Sequence, residues 1–232
     1  MSLNRLDPAK ALQICNEVSG TCISIYVNIR QGTRDSRIRL RAMMSKAKKL
    51  MERSYGKRIS QTLVEEMTEA LNFGFYPRES GTFAFFHSGE GSFYTRLEST
   101  VPDLVVAASS FHIKPLLQDL EPNQPDAVTG TGEGSLTISD IELIAAAAAE
   151  GRIDHLWIAR DAQIWGTLDR NRGIIRSVSL EQQDGTDDDL LDDIAQMTLR
   201  HGGDVSVVDV NSLPRETLAL AAVRWHMPYG VA

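Results

Sequence analysis

The chain has 232 residues, of which 42% are hydrophobic and 24% charged, and a formal net charge of −7. These totals describe an ordinary globular protein with room for one large domain or two small ones. Two cysteines, Cys15 and Cys22, exclude a disulfide framework or a cysteine-rich zinc site, and no apolar run approaches the ~20 residues of a membrane span.

The opening residues, MSLNRLDPAK, have no apolar signal core, so a reducing cytoplasm is the expected compartment. Residues 8–17 read as a short helix, and CISIYVNI (22–29) alternates like a strand, with Cys22 as a small core residue. A long helix is expected from about residue 35 to 53, because Leu40, Met43, Met44, Ala47, Leu50 and Met51 recur at helical spacing. SYGKRIS (54–60) reads as a break, followed by a second helix to about residue 71. Strands follow at 82–88, 92–98 and 104–109, then a turn and a short helix in FHIKPLLQDL.

EPNQPDAVTGTGEGS (121–135) is a stretch of turn and linker residues with nothing to bury. It separates two small domains, 1–120 and 136–232. Through Asn123 there are 16 Lys and Arg against 13 Asp and Glu; beyond it there are 8 against 18. In the second half, Ser139 with Glu142 suggests a capping box, flanked by an Ile138–Leu143 staple. Its helix runs through five alanines to Gly151, a natural residue to follow a helix end. Residues 152–160 and 162–169 read as strands, Thr186 with Asp189 as the start of the next helix, and 204–210 and 219–226 as two more strands. This helix–strand alternation predicts an α/β fold, a small α/β/α sandwich in the second half.

Three features bear on function. The only Gly-Gly pair, Gly202-Gly203, follows Arg200 and His201 at the end of a predicted helix and precedes a strand. A phosphate loop needs the opposite order, glycines leading into a helix N-terminus, so this pair is a helix cap. The acidic run DDDLLDD contains Asp187, Asp188, Asp189, Asp192 and Asp193, without the alternation of a calcium loop. It is read as the negatively charged first turn of a helix, and as a face for a protein partner, not a metal. Five scattered histidines form no metal or triad signature, so no catalytic residue and no cofactor is expected.

The third feature is the strongest. Between Arg30 and Arg58 lie eleven basic residues against two acidic ones. Arg37, Arg41 and Lys48 flank one side of the apolar stripe, and Arg39, Lys46, Lys49 and Arg53 the other. Arg34, Arg37, Arg39, Arg41, Lys46, Lys48 and Lys49, with Lys57 and Arg58 beyond the break, are the candidate phosphate contacts. Charge alone leaves open a solvated helix whose long side chains spread over the core edge. Tyr55 is the single aromatic in this stretch, which argues against stacking of single-stranded bases.

The order SIYVNI, basic helix, second helix and TFAFF resembles the N-terminal domain of the archaeo-eukaryotic class 1 release factors and Pelota. IAAAAAEGRIDHLWIARDAQIWG, DDDLLDDIAQMTLRHGGDVSVVD and LPRETLALAAVRW resemble the L7Ae-like C-terminal domain of their bacterial relatives. The resemblance implies a ribosome- or rRNA-associated translation factor, with a role in rescue, hibernation or stress, and a translational GTPase as a possible partner. The family's middle domain, with its Gly-Gly-Gln loop, has no counterpart between residues 120 and 136, and SYGKRIS lacks the Asn-Ile-Lys-Ser motif. Peptidyl-tRNA hydrolysis is therefore not expected. Two other readings stand beside this one: a protein–protein or homo-oligomerisation module in which the basic helix docks on the acidic run, and an RNA hydrolase with a dispersed site.

Overall fold

The computed structural model describes residues 4–18, 20–29, 34–74, 80–120, 136–183 and 186–224, without the side chains of 34–37, 54–55, 58–60, 63 and 70–74. It is a mixed α/β protein. The chain divides into two compact units, one of Met1–Pro122 with Glu181–Asp188, the other of Asn123–Leu180 with Asp189–Ala232. The expected linker, 121–135, lies outside the described residues.

The first unit is built on a five-stranded sheet in the order β1-β4-β3-β2-β5. Its strands are β1 (Asn4–Arg5), β2 (Cys22–Ile29), β3 (Gly81–Ser88), β4 (Gly91–Leu97) and β5 (Leu104–Ala108). All neighbours are antiparallel except β1, which lies parallel to β4. Helix α1 (Pro8–Glu17) starts where Asp7 accepts a hydrogen bond from the Lys10 amide at 3.0 Å, with Pro8 at its first position. α2 (Arg34–Gly74) covers one face of the sheet, and α1 and α3 (Lys114–Leu120) pack together on the other.

Alternation in β2 explains the layering. Ile23, Ile25, Val27 and Ile29 meet Met43, Met44, Ala47, Leu50 and Met51 of α2, the stripe expected from the sequence. The opposite face holds an aromatic cluster: Phe86 stacks on Phe93 at 5.0 Å and meets Tyr26 and Phe111 edge-on. The seven-residue break expected at 54–60 is one residue long. Gly56, at φ 76° and ψ 163°, is the single non-helical position, and helix continues on both sides of it.

The second unit carries a four-stranded sheet, β11-β7-β12-β6, from β6 (Leu136–Ile138), β7 (Ile153–Ala159), β11 (Asp204–Val208) and β12 (Ala219–Val223). β8 (Trp165–Asp169) and β9 (Ile174–Ser179) form an antiparallel hairpin, and the two-residue strand β10 (Asp188–Asp189) leads into a helix. The helices are α4 (Ile141–Ala149) and α5 (Leu190–Arg200), which pack against each other and against β7. The other face of the sheet gathers Trp157, Ala159, Val208, Leu220 and Ala222 with Leu213, beside a short 3₁₀ turn at Val210–Ser212. Among the described residues no helix packs on that face.

Two helix ends match their sequence signals, and the start of α4 does not. After α4, Gly151 donates to Ala148 O at 3.1 Å and Arg152 to Ala147 O at 2.9 Å; after α5, Gly202 donates to Leu199 O and Gly203 to Thr198 O, both at 3.0 Å. These are paired C-terminal caps with Gly151 and Gly202 at φ 68° and 73°. Gly203 is required for a different reason, since a Cβ there would lie 2.7 Å from Ile153 O.

The start of α4 is capped by Asp140, not Ser139. The Asp140 carboxylate accepts from the Glu142 and Leu143 amides at 2.9 and 3.0 Å, and Leu143 is 58% exposed, so no hydrophobic staple closes over it. Asp140→Ala is therefore expected to lower stability by about 1 kcal/mol and Ser139→Ala to leave it unchanged. Urea titrations of the two variants separate these capping assignments.

Candidate nucleic-acid interface

The first arm of α2, up to Gly56, presents the predicted basic residues in three different ways. Its apolar stripe faces the sheet, which turns the remaining positions outward. Arg41, Lys46 and Lys49 are exposed, as is Lys57 just past Gly56, and Lys48 is half-buried. Two of the arginines are tied down. Arg39 pairs with Asp103 through Nε at 2.9 Å and through its second terminal nitrogen, and donates to Asn28 O at 3.0 Å. Arg53 donates to Gln183 O at 2.6 Å. Arg39 is thus a strut between α2 and the sheet, with its fork directed inward. Arg34, Arg37 and Arg58 lie in the helix, but their side chains are outside the described residues.

The second arm reverses the sign. Glu65 and Glu69 are exposed and Glu66 is half-buried, so the cationic face ends close to Lys57. The exposed cations of the first arm, with the half-buried Glu52 as the one acidic residue among them, attract phosphate oxygens and are screened by salt.

The acidic run is turned inward, which corrects the expected acidic face. Asp187, Asp188, Asp189, Asp192 and Asp193 are all buried, at 2–8% exposure. Asp187 accepts from the Gln183 amide at 2.9 Å. Asp188 takes both the amide and the hydroxyl of Ser109, at 3.0 and 2.5 Å. Asp189 is the N-cap of α5, accepting from Leu191 N, and also holds the Ile164 amide, each at 3.2 Å. Asp192 bonds Gln196 at 2.9 Å, and Asp193 pairs with Arg170 at 2.6 Å. The expected helix start also moves: α5 begins at Leu190, so Asp192 and Asp193 occupy its first turn and Asp187 and Asp188 precede it. Buried carboxylates need such partners; Gln183, Leu191 and Gln196 are near in sequence, whereas Ser109, Ile164 and Arg170 are distant.

Sequence reasoning left the histidines scattered, and the structure gives two of them serine partners. His155 Nε2 lies 2.6 Å from Ser206 Oγ, and its ring stacks on Trp157 at 4.1 Å. Burial lowers its pKa, while Asp204 and Asp154 push it back up. Ser206 is 2% exposed, which closes its hydroxyl to a substrate. His87 is sealed between α2 and the sheet, with Nδ1 2.7 Å from Ser92 Oγ and Nε2 3.6 Å from a Glu66 carboxylate oxygen. Among the described residues no group of three or more His, Cys, Asp or Glu is placed to hold a metal ion. No described helix is long and apolar enough to cross a membrane.

No protein-family model and no curated protein matches the chain.

Proposed function

We propose that this protein is a non-catalytic, RNA-associated factor that binds phosphate through the first arm of α2. The observation that carries this reading is the exposed cationic surface of Arg41, Lys46 and Lys49, with Lys48 at its edge and Lys57 just past Gly56. Phosphate neutralisation by such a surface supplies affinity without base recognition. The resemblance of the chain to release-factor relatives, with an L7Ae-like second half, directs the proposal to the ribosome and its RNA. A role in rescue, hibernation or stress, in the cytoplasm and with a translational GTPase as partner, follows from the same resemblance.

The absence of a Gly-Gly-Gln sequence supports a factor without peptidyl-tRNA hydrolysis, because the one Gly-Gly pair is followed by Asp204. A helix interrupted only at Gly56 leaves no loop at the position of the family's codon-reading motif, which supports RNA contact without codon reading. The rival in which the basic helix docks on the acidic run is weakened, since the five aspartates are buried and bonded.

The test is co-sedimentation of the purified protein with ribosomes and their subunits across a salt series. Binding is expected at low salt, weakening as salt rises, with a log–log slope of about −3 to −5 for four or five neutralised phosphates. The triple variant Arg41→Glu/Lys46→Glu/Lys49→Glu is expected to lose it. Undiminished sedimentation of that variant, or no sedimentation of the wild type at low salt, sinks the proposal.

A further inference from the structure

We infer that the cationic face of α2 takes the backbone of double-stranded RNA and not an unpaired strand. This rests on the phosphate-binding reading above and names its ligand more closely.

The placement of charge around the helix is the first argument. Arg41 and Lys48 stand two turns apart on one flank, about 10 Å along the axis. Lys46 lies on the other flank, about 140° around the helix from Arg41, and Lys49 stands near the crest beside it. Arg41, Lys46 and Lys49 are exposed and Lys48 is half-buried. A single strand presents one line of phosphates and can follow one flank. With Arg41 and Lys48 on one flank, Lys46 on the other and Lys49 on the crest between them, cations span both sides of the helix, as two phosphate backbones on either side of a groove require.

The crest between the flanks is the second argument. Ile38, Ala42 and Ser45 are exposed there beside Lys49, with the half-buried Glu52 towards the Arg41 side, and none of the three uncharged residues reads base edges bidentately. The small side chains of Ala42 and Ser45 let the helix backbone approach a broad groove closely. The A-form minor groove is wide and shallow and displays 2′-hydroxyls, for which the Ser45 hydroxyl is a suitable partner.

Two further features limit the alternatives. Stacking platforms for unpaired bases need successive aromatic rings. Tyr55 is the only aromatic residue between positions 30 and 58, and no aromatic residue figures among the exposed large apolar side chains of the described residues. The acidic second arm, with Glu65 and Glu69 exposed, repels phosphates beyond Lys57. The footprint is therefore one groove crossed by about 12 Å of helix, from Arg41 to Lys49.

The experiment uses the full chain and fluorescence anisotropy at low salt. The probes are a mixed-sequence RNA duplex of about 16 base pairs, one of its strands alone, and the DNA duplex of the same sequence. The RNA duplex is expected to bind at least about tenfold more tightly than either competitor. Arg41→Glu/Lys48→Glu and Lys46→Glu/Lys49→Glu are each expected to weaken it about tenfold or more, because each reverses two of the four cations, on opposite sides of the face. Unchanged thermal unfolding shows that these surface variants are folded. Equal or tighter binding of the single strand or the DNA duplex overturns the inference while leaving phosphate binding intact, as does a loss confined to one flank. Failure to bind any of the three nucleic acids overturns the phosphate-binding reading itself.

Discussion

Gly173→Ala is expected to destabilise the second unit by about 4 kcal/mol, several times the effect of an ordinary glycine substitution. Gly173 ends the β8–β9 turn, where its amide and that of Arg172 both donate to Asp169 O, at 2.7 and 3.1 Å. Its φ of 64° lies in the left-handed region, which costs an alanine about 1 kcal/mol. The larger cost is steric. A Cβ at 173 would sit 2.4 Å from Ala145 O and 2.5 Å from Ala146 Cα, both backbone atoms of α4. Helix and turn would have to separate, opening the layer that buries Ala145, Ala147 and Ala148. Gly202→Ala is the internal control, since Gly202 has a similar φ of 73° but nothing within 4 Å of an added Cβ. It should lose only the conformational term, about 1 kcal/mol. All three tryptophans, Trp157, Trp165 and Trp225, fall in the second unit, so urea unfolding followed by tryptophan fluorescence reads the right part of the chain. Equal midpoints for the two variants would refute the close-approach argument.

The run of alanines in α4 takes its meaning from that contact. In the sequence it signals only a helix, with Gly151 as its end. In the fold it is the smooth surface against which a turn glycine comes to backbone contact. Several signals of this local kind were legible: the α2 stripe, the alternation of β2, and both glycine caps can be read from spacing alone, because they depend on neighbours within a few turns. β9 was not legible. Its pairing with β8 shifts register between Thr167 and Leu168, and its side chains are mostly exposed, so IIRSVS has neither clean alternation nor an apolar run. β6 is three residues long and takes its order from β12.

The candidate site divides in the same way. The helical face of the basic residues was legible, because the apolar stripe fixes which positions turn outward. The strut role of Arg39 was not, since Asp103 lies 64 residues further along the chain. The acidic run shows the limit most clearly. A string of aspartates announces charge, but its direction depends on Ser109, Arg170 and the amide of Ile164, which only the folded chain brings within reach. Sequence also could not distinguish a seven-residue loop from a single non-helical glycine at 56.

Acid is expected to loosen the first unit through one side chain. His87 is fully buried on β3, where its Nδ1 meets the Ser92 hydroxyl and its Nε2 faces Glu66 across 3.6 Å. Burial penalises the imidazolium and lowers the pKa from 6.5 to about 4, despite the carboxylate nearby. The folded pKa lies below the unfolded one, so the unfolded chain binds the proton more readily. His87 therefore destabilises the fold progressively as the pH falls from about 6.5 towards 4, and its effect is absent above that window. The full loss amounts to about 3 kcal/mol. His87→Gln keeps a polar group beside Ser92 and removes the titration, so its stability should be flatter than that of the wild type across the same window. Hydrogen exchange of the β2 and β3 amides reads the first unit alone, which matters because His155 in the second unit is also lowered by burial. The expected result is faster exchange for the wild type at pH 4.5 than at pH 7 once intrinsic rates are divided out, with a smaller change in His87→Gln. Parallel pH dependence in the two proteins would move the acid sensitivity to another group.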